Sequence, residues 1–367
     1  MKDEMESRRE RARKLMRNKG YDALVLAAGE NIQYFSGVTE PSVHACGDVI
    51  LSQNAQLALA VMWLDKKAAH EQVEDVDVHA YNPDSHGKVI AKMLQNLGVT
   101  KGVIGMDDRA MKVLKNALGQ SLSSVGLVDA SRAVEELRRI KSEGEIRYIR
   151  KACEIADEGM KAALEALKPG ATELQIAATA EHKMMMLGSD RLKHRTMVAS
   201  GPRARLVHPF ASHKKIAKGE LVVIDLGGVC QGYCSDITRT TFIGRPSEDE
   251  KDDLDVLRSA QEAVFGKLRG GIAIREVEET AQEVLKAAGC RLIDFVGHSV
   301  GLKVEESPFL RTTRTSHPEA KIEKNVVVAF FQSYIQSKRS WGIRLEDTVA
   351  VTKLGAKMLT TYPRDLL

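Results

Sequence analysis

The chain has no apolar run of the roughly 20 residues that a bilayer-crossing helix needs. Its N-terminus is charged and lacks the apolar stretch of a signal peptide. These two absences lead us to expect a cytoplasmic protein with no membrane partner. Cysteine is scarce as well. Five of the 367 residues (Cys46, Cys153, Cys230, Cys234, Cys290) are odd in number and unevenly spaced, which excludes a disulfide framework and suits a reducing compartment. Cys230 and Cys234 can share a strand face, but a zinc pair needs more Cys or His nearby, so they read as buried small hydrophobes. An excess of one charge is also missing: 54 Lys and Arg face 50 Asp and Glu. A nucleic-acid partner is therefore not expected. The only basic run, residues 8–19, is mixed with Glu and reads as the solvated face of an N-terminal helix, with Leu15 and Met16 turned inward. Neither Gly-x-Gly-x-x-Gly nor a P-loop lysine motif occurs, which removes the common nucleotide-binding classes.

What is present is an ordinary globular balance, 43% hydrophobic and 28% charged. The length suits two domains at roughly 100–200 residues each, and we place them at 1–135 and 136–367. Residues 1–135 alternate helix (5–18, 88–97) with short β-type runs (23–26, 49–51, 57–61, 102–106), the pattern of an α/β layer. The charged stretch 135–145 reads as a bridge. A long helix over 145–167 stops at Pro169-Gly170, and Thr172 opens another to about residue 187. Strands are expected at 221–224, 240–243, 326–330 and 348–351, and helices at 248–268 and 274–288, the first capped by Pro246-Ser247. Two helix pairs flanking strands leave an internal duplication open.

Acidic residues inside apolar strands are the informative feature. Val222-Val223-Ile224-Asp225-Leu226-Gly227 ends a buried-looking run on a carboxylate, which is costly unless hydrogen-bonded, protonated or bound to a cation. Asp236 follows a turn rich in Gly (Gly227, Gly228, Gly232) that lets the chain double back, so the two carboxylates can face each other. Two such groups repel, and a divalent ion is the usual remedy. His298 lies in Gly297-His298-Ser299-Val300-Gly301-Leu302, and Glu346 in Gly342-Ile343-Arg344-Leu345-Glu346-Asp347. Singly, each has an ordinary explanation: Asp236 can pair with Arg239, Glu346 with Arg344, and His298 can be a satisfied core histidine. Spacing alone does not bring residues 225 and 346 together.

These four segments, in this order, resemble the metal-site motifs of the pita-bread metallopeptidases, which include Xaa-Pro dipeptidase (prolidase), aminopeptidase P and methionine aminopeptidase. Asn31-Ile32-Gln33-Tyr34-Phe35-Ser36-Gly37 resembles the N-domain signature of the Xaa-Pro branch, and residues 136–143 resemble the start of its catalytic domain. The resemblance implies an α+β protein: a creatinase-like N-terminal α/β domain followed by a pita-bread catalytic domain. It implies Asp225, Asp236, His298 and Glu346 as metal ligands, with Mn²⁺ or Co²⁺ suiting the oxygen-rich set. It implies His208 as a substrate contact, and Arg344 as a brace that orients a ligand carboxylate. A homodimer is implied too, with His44 and Cys46 near the opposite subunit's pocket.

Two family positions differ. The Glu-Pro-Gly before a Tyr is replaced: aligned on Tyr334, Phe330 stands where the carboxylate belongs, and no Glu lies between residues 325 and 336. The His-Glu after Gly-Leu-x-x is Glu305-Glu306. The resemblance then implies that one ion loses a ligand, while the other keeps Asp225, Asp236 and Glu346, with Glu305 a candidate replacement ligand. Three readings follow. The first is a metallohydrolase attacking a peptide or amide C–N bond, with Glu305 or Glu306 as base and His208 on the oxyanion. The second is a metal-independent, creatinase-like hydrolase using His208 and Glu305 on a guanidino substrate. The third is a non-catalytic binding protein on the same fold.

Overall fold

The computed structural model describes residues 2–39, 47–54, 57–73, 76–292, 296–314, 320–330, 335–336 and 342–365. His44 and Cys46 lie outside the described residues. The chain divides into two units, residues 1–138 and 139–367.

The first unit is built on a six-stranded mixed sheet. Its strands run side by side in the order Asp77–Tyr81, Leu57–Met62, Gly47–Ser52, Ala23–Leu26, Gly102–Met106 and Val125–Asp129. Helices His86–Asn96 and Asp108–Ser121 bury Ile90, Leu94, Leu114 and Leu118 against Val25, Ile50 and Ile104. The N-terminal helix Lys2–Lys19 buries Met16, but Leu15 only in part. Its basic face is not simply solvated. Arg8 is buried, donates to the Tyr34 carbonyl and lies 4.4 Å from the Tyr34 ring centre. Arg13 is buried beside Glu6 and Glu10. The Asn31 signature also serves the fold: Asn31 donates to Asp107 and accepts from Arg138, and Tyr34 donates to the Leu137 carbonyl.

The stretch between the two units is not one continuous helix. Helix Ser131–Arg139 stops, and Ser142 caps α1 (Glu143–Ala166) in a reciprocal box with Glu145. Thr172 and Gln175 cap α2 (Glu173–Met186) in the same way. Strands β1 (Met197–Ser200), β2 (Leu221–Leu226) and β3 (Ile237–Phe242) form an antiparallel sheet with β2 in the centre. Along β2, Val222, Ile224 and Leu226 pack on Ile155, Met160, Ile176 and Met184 of α1 and α2. The period-2 alternation turns Asp225 to the other face.

The pattern then repeats. Helices α3 (Glu248–Lys267) and α4 (Ile274–Ala287) cover a second sheet. It contains β4 (Gly297–Ser299), β5 (Glu306–Phe309), β6 (Val327–Phe330), β7 (Asp347–Val351) and β8 (Ala356–Met358), in the order β5-β4-β6-β7-β8. Val328, Phe330, Val349 and Val351 face Leu257, Val264 and Val277 of the helices. One antiparallel bridge, Thr238 to Glu346, couples the two sheets. Four strands of two half-sites therefore converge on one point.

Candidate active site

Each half contributes two of the acidic or imidazole groups seen in the sequence. Asp225 stands on the inner face of β2, opposite Thr238 of β3. The chain reverses through Gly227, where a Cβ would come within 2.1 Å of the Ser235 carbonyl oxygen, so no larger residue fits that crossing. Asp236 is fixed by Thr348: the Asp236 N–H donates to Thr348 Oγ1 at 3.0 Å, and the Thr348 hydroxyl donates to the Asp236 carbonyl at 2.7 Å. From the second half, His298 pairs with Ala329 of β6, and Ala329 pairs with Thr348 of β7, so these three share a face. Glu346 accepts from the Thr238 hydroxyl at 2.9 Å. The strand carrying it is held by Arg239, whose guanidinium donates to the Glu346 carbonyl and to Asp347. Arg239 thus pairs with Asp347 and leaves Asp236 to the site.

Asp225, Asp236, His298 and Glu346 are all buried. His298 Nδ1 donates to the Ser299 carbonyl at 3.1 Å, a bond that fixes the proton on Nδ1 of the neutral ring and leaves the Nε2 lone pair for the cluster. That nitrogen lies 4.0 Å from Asp236 Oδ2 and 3.9 Å from Glu346 Oε1. One donor atom each from Asp236, His298 and Glu346 lies within 4.8 Å of the others. Asp236 Oδ2 and Glu346 Oε1 are buried with no hydrogen-bond partner. Two carboxylate oxygens and one imidazole nitrogen, desolvated and converging, fit a divalent cation.

Asp225, also expected as a ligand, stands outside that group and meets a different cation. Lys193, from the segment between α2 and β1, extends a fully buried side chain into the site. Its ammonium donates to Asp225 Oδ1 at 2.7 Å and also to Asp236 Oδ1. Burial alone would lower the pKa of this ammonium, but Asp225, Asp236 and Glu346 outweigh burial and raise it. Burial likewise works to raise the pKa of Asp225, yet Lys193 and His194, the latter 3.5 Å away, hold it well below the usual carboxylate range. Glu346 moves the other way, raised by burial and by the charges of Asp236 and Asp225. The position expected to keep its ion, at Asp225, Asp236 and Glu346, is therefore the one entered by a lysine.

The remaining sequence candidates separate. Glu306 is a structural ion: buried, it faces the buried Lys141 ammonium at 3.3 Å, and Lys141 donates to Ser299 as well. A carboxylate held in that way is not a free base. Glu305 is half-buried and stands outside the converging group. His208 is exposed, on a loop between a short helical turn (Gly201–Arg205) and residue 212. Arg344 braces this loop: its guanidinium donates to the Leu206 carbonyl, two residues before His208. Phe330, which stands where the family has its Glu, lies in the core. Its ring packs on Phe265 of α3, 6.1 Å between centres, on the face of β6 away from His298. Ala329 shares the His298 face, and Phe331 lies outside the described residues. Cys230 and Cys234 sit on opposite strands of a small ribbon, and burial pushes the Cys234 thiol up to about 11, so neither offers a thiolate pair.

Sequence reasoning missed Lys193 and Glu173. Lys193 sits in a segment before the strand at 197–200 that carries no hydrophobic periodicity in the sequence. Glu173, wholly buried at the start of α2, accepts from Ser200, Arg203 and Ser212 and so ties both ends of the His208 loop together.

Comparison with known proteins agrees with this architecture. The model of the metallopeptidase family M24 matches residues 147–353, and that of the creatinase/prolidase N-terminal domain matches residues 8–140. A Xaa-Pro dipeptidase of Pyrococcus furiosus is 32% identical over 366 residues, covering 99% of this chain and 100% of that protein. The crystal structure of a prolidase from Pyrococcus horikoshii superposes with a TM-score of 0.88 at 30% identity, covering 98% of this chain and 100% of that one. An X-Pro aminopeptidase structure from Thermotoga maritima gives 0.86 at 27% identity, covering 98% and 99%. The chain belongs to metallopeptidase family M24, carries the creatinase/prolidase N-terminal domain, and is a peptidase-type hydrolase.

Proposed function

We propose that the protein hydrolyses the bond before proline in small peptides, using one divalent ion, Mn²⁺ or Co²⁺, held by Asp236, His298 and Glu346. The observation that carries this is the convergence of those three buried donor groups within 4.8 Å. A bound divalent ion supplies Lewis acidity, polarising a carbonyl oxygen and lowering the pKa of water from 15.7 towards about 7. The substrate preference rests on the Xaa-Pro dipeptidase and aminopeptidase relatives.

The chain's own residues divide the remaining work. Glu305, half-buried and outside the converging group, takes the proton from the attacking water and returns it to the leaving nitrogen. His208, on the loop that Glu173 and Arg344 hold, contacts the substrate from the solvent side. Glu306 holds the strand after His298 through Lys141 and Ser299. The test is hydrolysis of Xaa-Pro dipeptides by the Mn²⁺-loaded protein, with Glu305→Gln beside it. Activity lost to EDTA, and reduced about 10²–10⁴-fold in Glu305→Gln at unchanged melting temperature, supports the reading.

One observation favours a second reading. Lys193 already neutralises part of the Asp225–Asp236 repulsion with no ion at all. Metal-independent C–N hydrolysis of a guanidino or amide compound by His208 and Glu305 would then survive EDTA, which the first reading forbids.

A further inference from the structure

Lys193 is the member of the cluster that the metal reading leaves unused. Its berth is built for it. The side chain is fully buried, and its Cδ passes the bare Cα of Gly227, where a Cβ would lie 2.6 Å away. The ammonium takes one oxygen from each aspartate, Asp225 Oδ1 and Asp236 Oδ1. The other Asp236 oxygen, Oδ2, has no hydrogen-bond partner and lies on the side of His298 and Glu346. The two oxygens of Asp236 thus serve two different positive centres.

We propose that Lys193 is a built-in cation filling the Asp225–Asp236 pole of the site, so that the chain has room for one divalent ion, at Asp236, His298 and Glu346. Charge favours this count. One ammonium and one divalent ion together match the carboxylates of Asp225, Asp236 and Glu346, whereas a second divalent ion beside a buried ammonium would leave excess positive charge out of water. Asp236 is then a shared carboxylate, and Asp225 acts through the lysine and not as a ligand.

The inference deepens the metal-dependent reading, but its test is a difference between two proteins and so can fail separately. Full-length wild type and Lys193→Ala are dialysed against Mn²⁺ and their ion content per chain is measured by elemental analysis, with folding checked by circular dichroism. The inference expects the variant to hold one ion more than wild type, because the Asp225–Asp236 pole opens. In EDTA the variant should melt roughly 10 °C lower, and Mn²⁺ should recover most of that loss. Equal ion content in the two folded proteins overturns it. Lys193→Met, which fills the berth without charge, guards against collapse of the alanine variant: its melting temperature should rise more on Mn²⁺ addition than that of wild type, and an equal rise counts against the inference. The wild-type ion content itself, one or none, decides the metal-dependent reading and leaves the difference untouched.

Discussion

Burial and the charges of Asp236 and Asp225 raise the pKa of Glu346 above its ordinary value, so between the unfolded and the folded value the metal-free folded state holds a proton there that the unfolded chain has released. The stability tied to this proton is complete below the unfolded value and is lost as pH rises through the folded one. In EDTA, Glu346→Gln should therefore melt with wild type near pH 4 and above wild type at pH 8, and a gap that shrinks with rising pH would contradict the assignment. Added Mn²⁺ should reverse the order at pH 8, because the glutamine removes an ionised ligand. Lys141 offers a second residue-scale case. With its side chain and that of Glu306 each 1% exposed, Lys141→Met strands a buried carboxylate, and denaturant unfolding should show a loss of about 3–5 kcal/mol. Lys141→Met combined with Glu306→Gln should recover much of it, since the cost lies in the orphaned charge. The Glu305-Glu306 pair thus holds two unlike residues: Glu306 faces the core lysine, and Glu305 is half-buried.

At the scale of elements, what the sequence made legible was local. Thr172 and Pro246-Ser247 mark helix starts in the sequence, and Thr172 and Ser247 both cap the helices that follow. In the structure, Val222, Ile224 and Leu226 of β2 enter one core and Val328 and Phe330 of β6 another, with Asp225 on the opposite face from Ile224. Two boundaries moved for physical reasons. The bridge over 135–145 broke because Ser142 caps a new helix, and β3 began at Ile237, earlier than residue 240, because its pairing with β2 extends to Leu226. Lys193 was illegible: it lies 32 and 43 residues from the carboxylates it serves, in a loop with no periodic pattern. The packing of Phe330 on Phe265 was illegible for a similar reason, since the two lie 65 residues apart. The His208 loop is the element most open to test. Glu173 accepts from Ser200 at one end and Ser212 at the other, so Glu173→Ala should free the loop while leaving the converging donors in place. We expect KM for Xaa-Pro dipeptides to rise several-fold with Mn²⁺ affinity unchanged, read by steady-state kinetics beside calorimetric titration.

At the scale of the whole molecule, the second unit is two similar halves, each a helix pair on a sheet, joined where Thr238 and Glu346 exchange backbone hydrogen bonds. Asp225 and Asp236 come from one half, His298 and Glu346 from the other, so the cluster exists only when both sheets are formed. The first unit contributes none of these groups, and each unit has apolar clusters of its own. No helix among the described residues is long and apolar enough to cross a membrane. This division makes the last prediction. A fragment of residues 140–367 retains the Ser142 cap, both sheets, Lys193 and the three converging donors, and should bind Mn²⁺ with the same stoichiometry as the full chain and within about tenfold in affinity, a difference of 1.4 kcal/mol. The comparison is a calorimetric titration of fragment and full chain in one buffer. A folded fragment that binds no ion would mean that the donors converge only with help from residues 1–138, and the centre could no longer be assigned to the second unit alone.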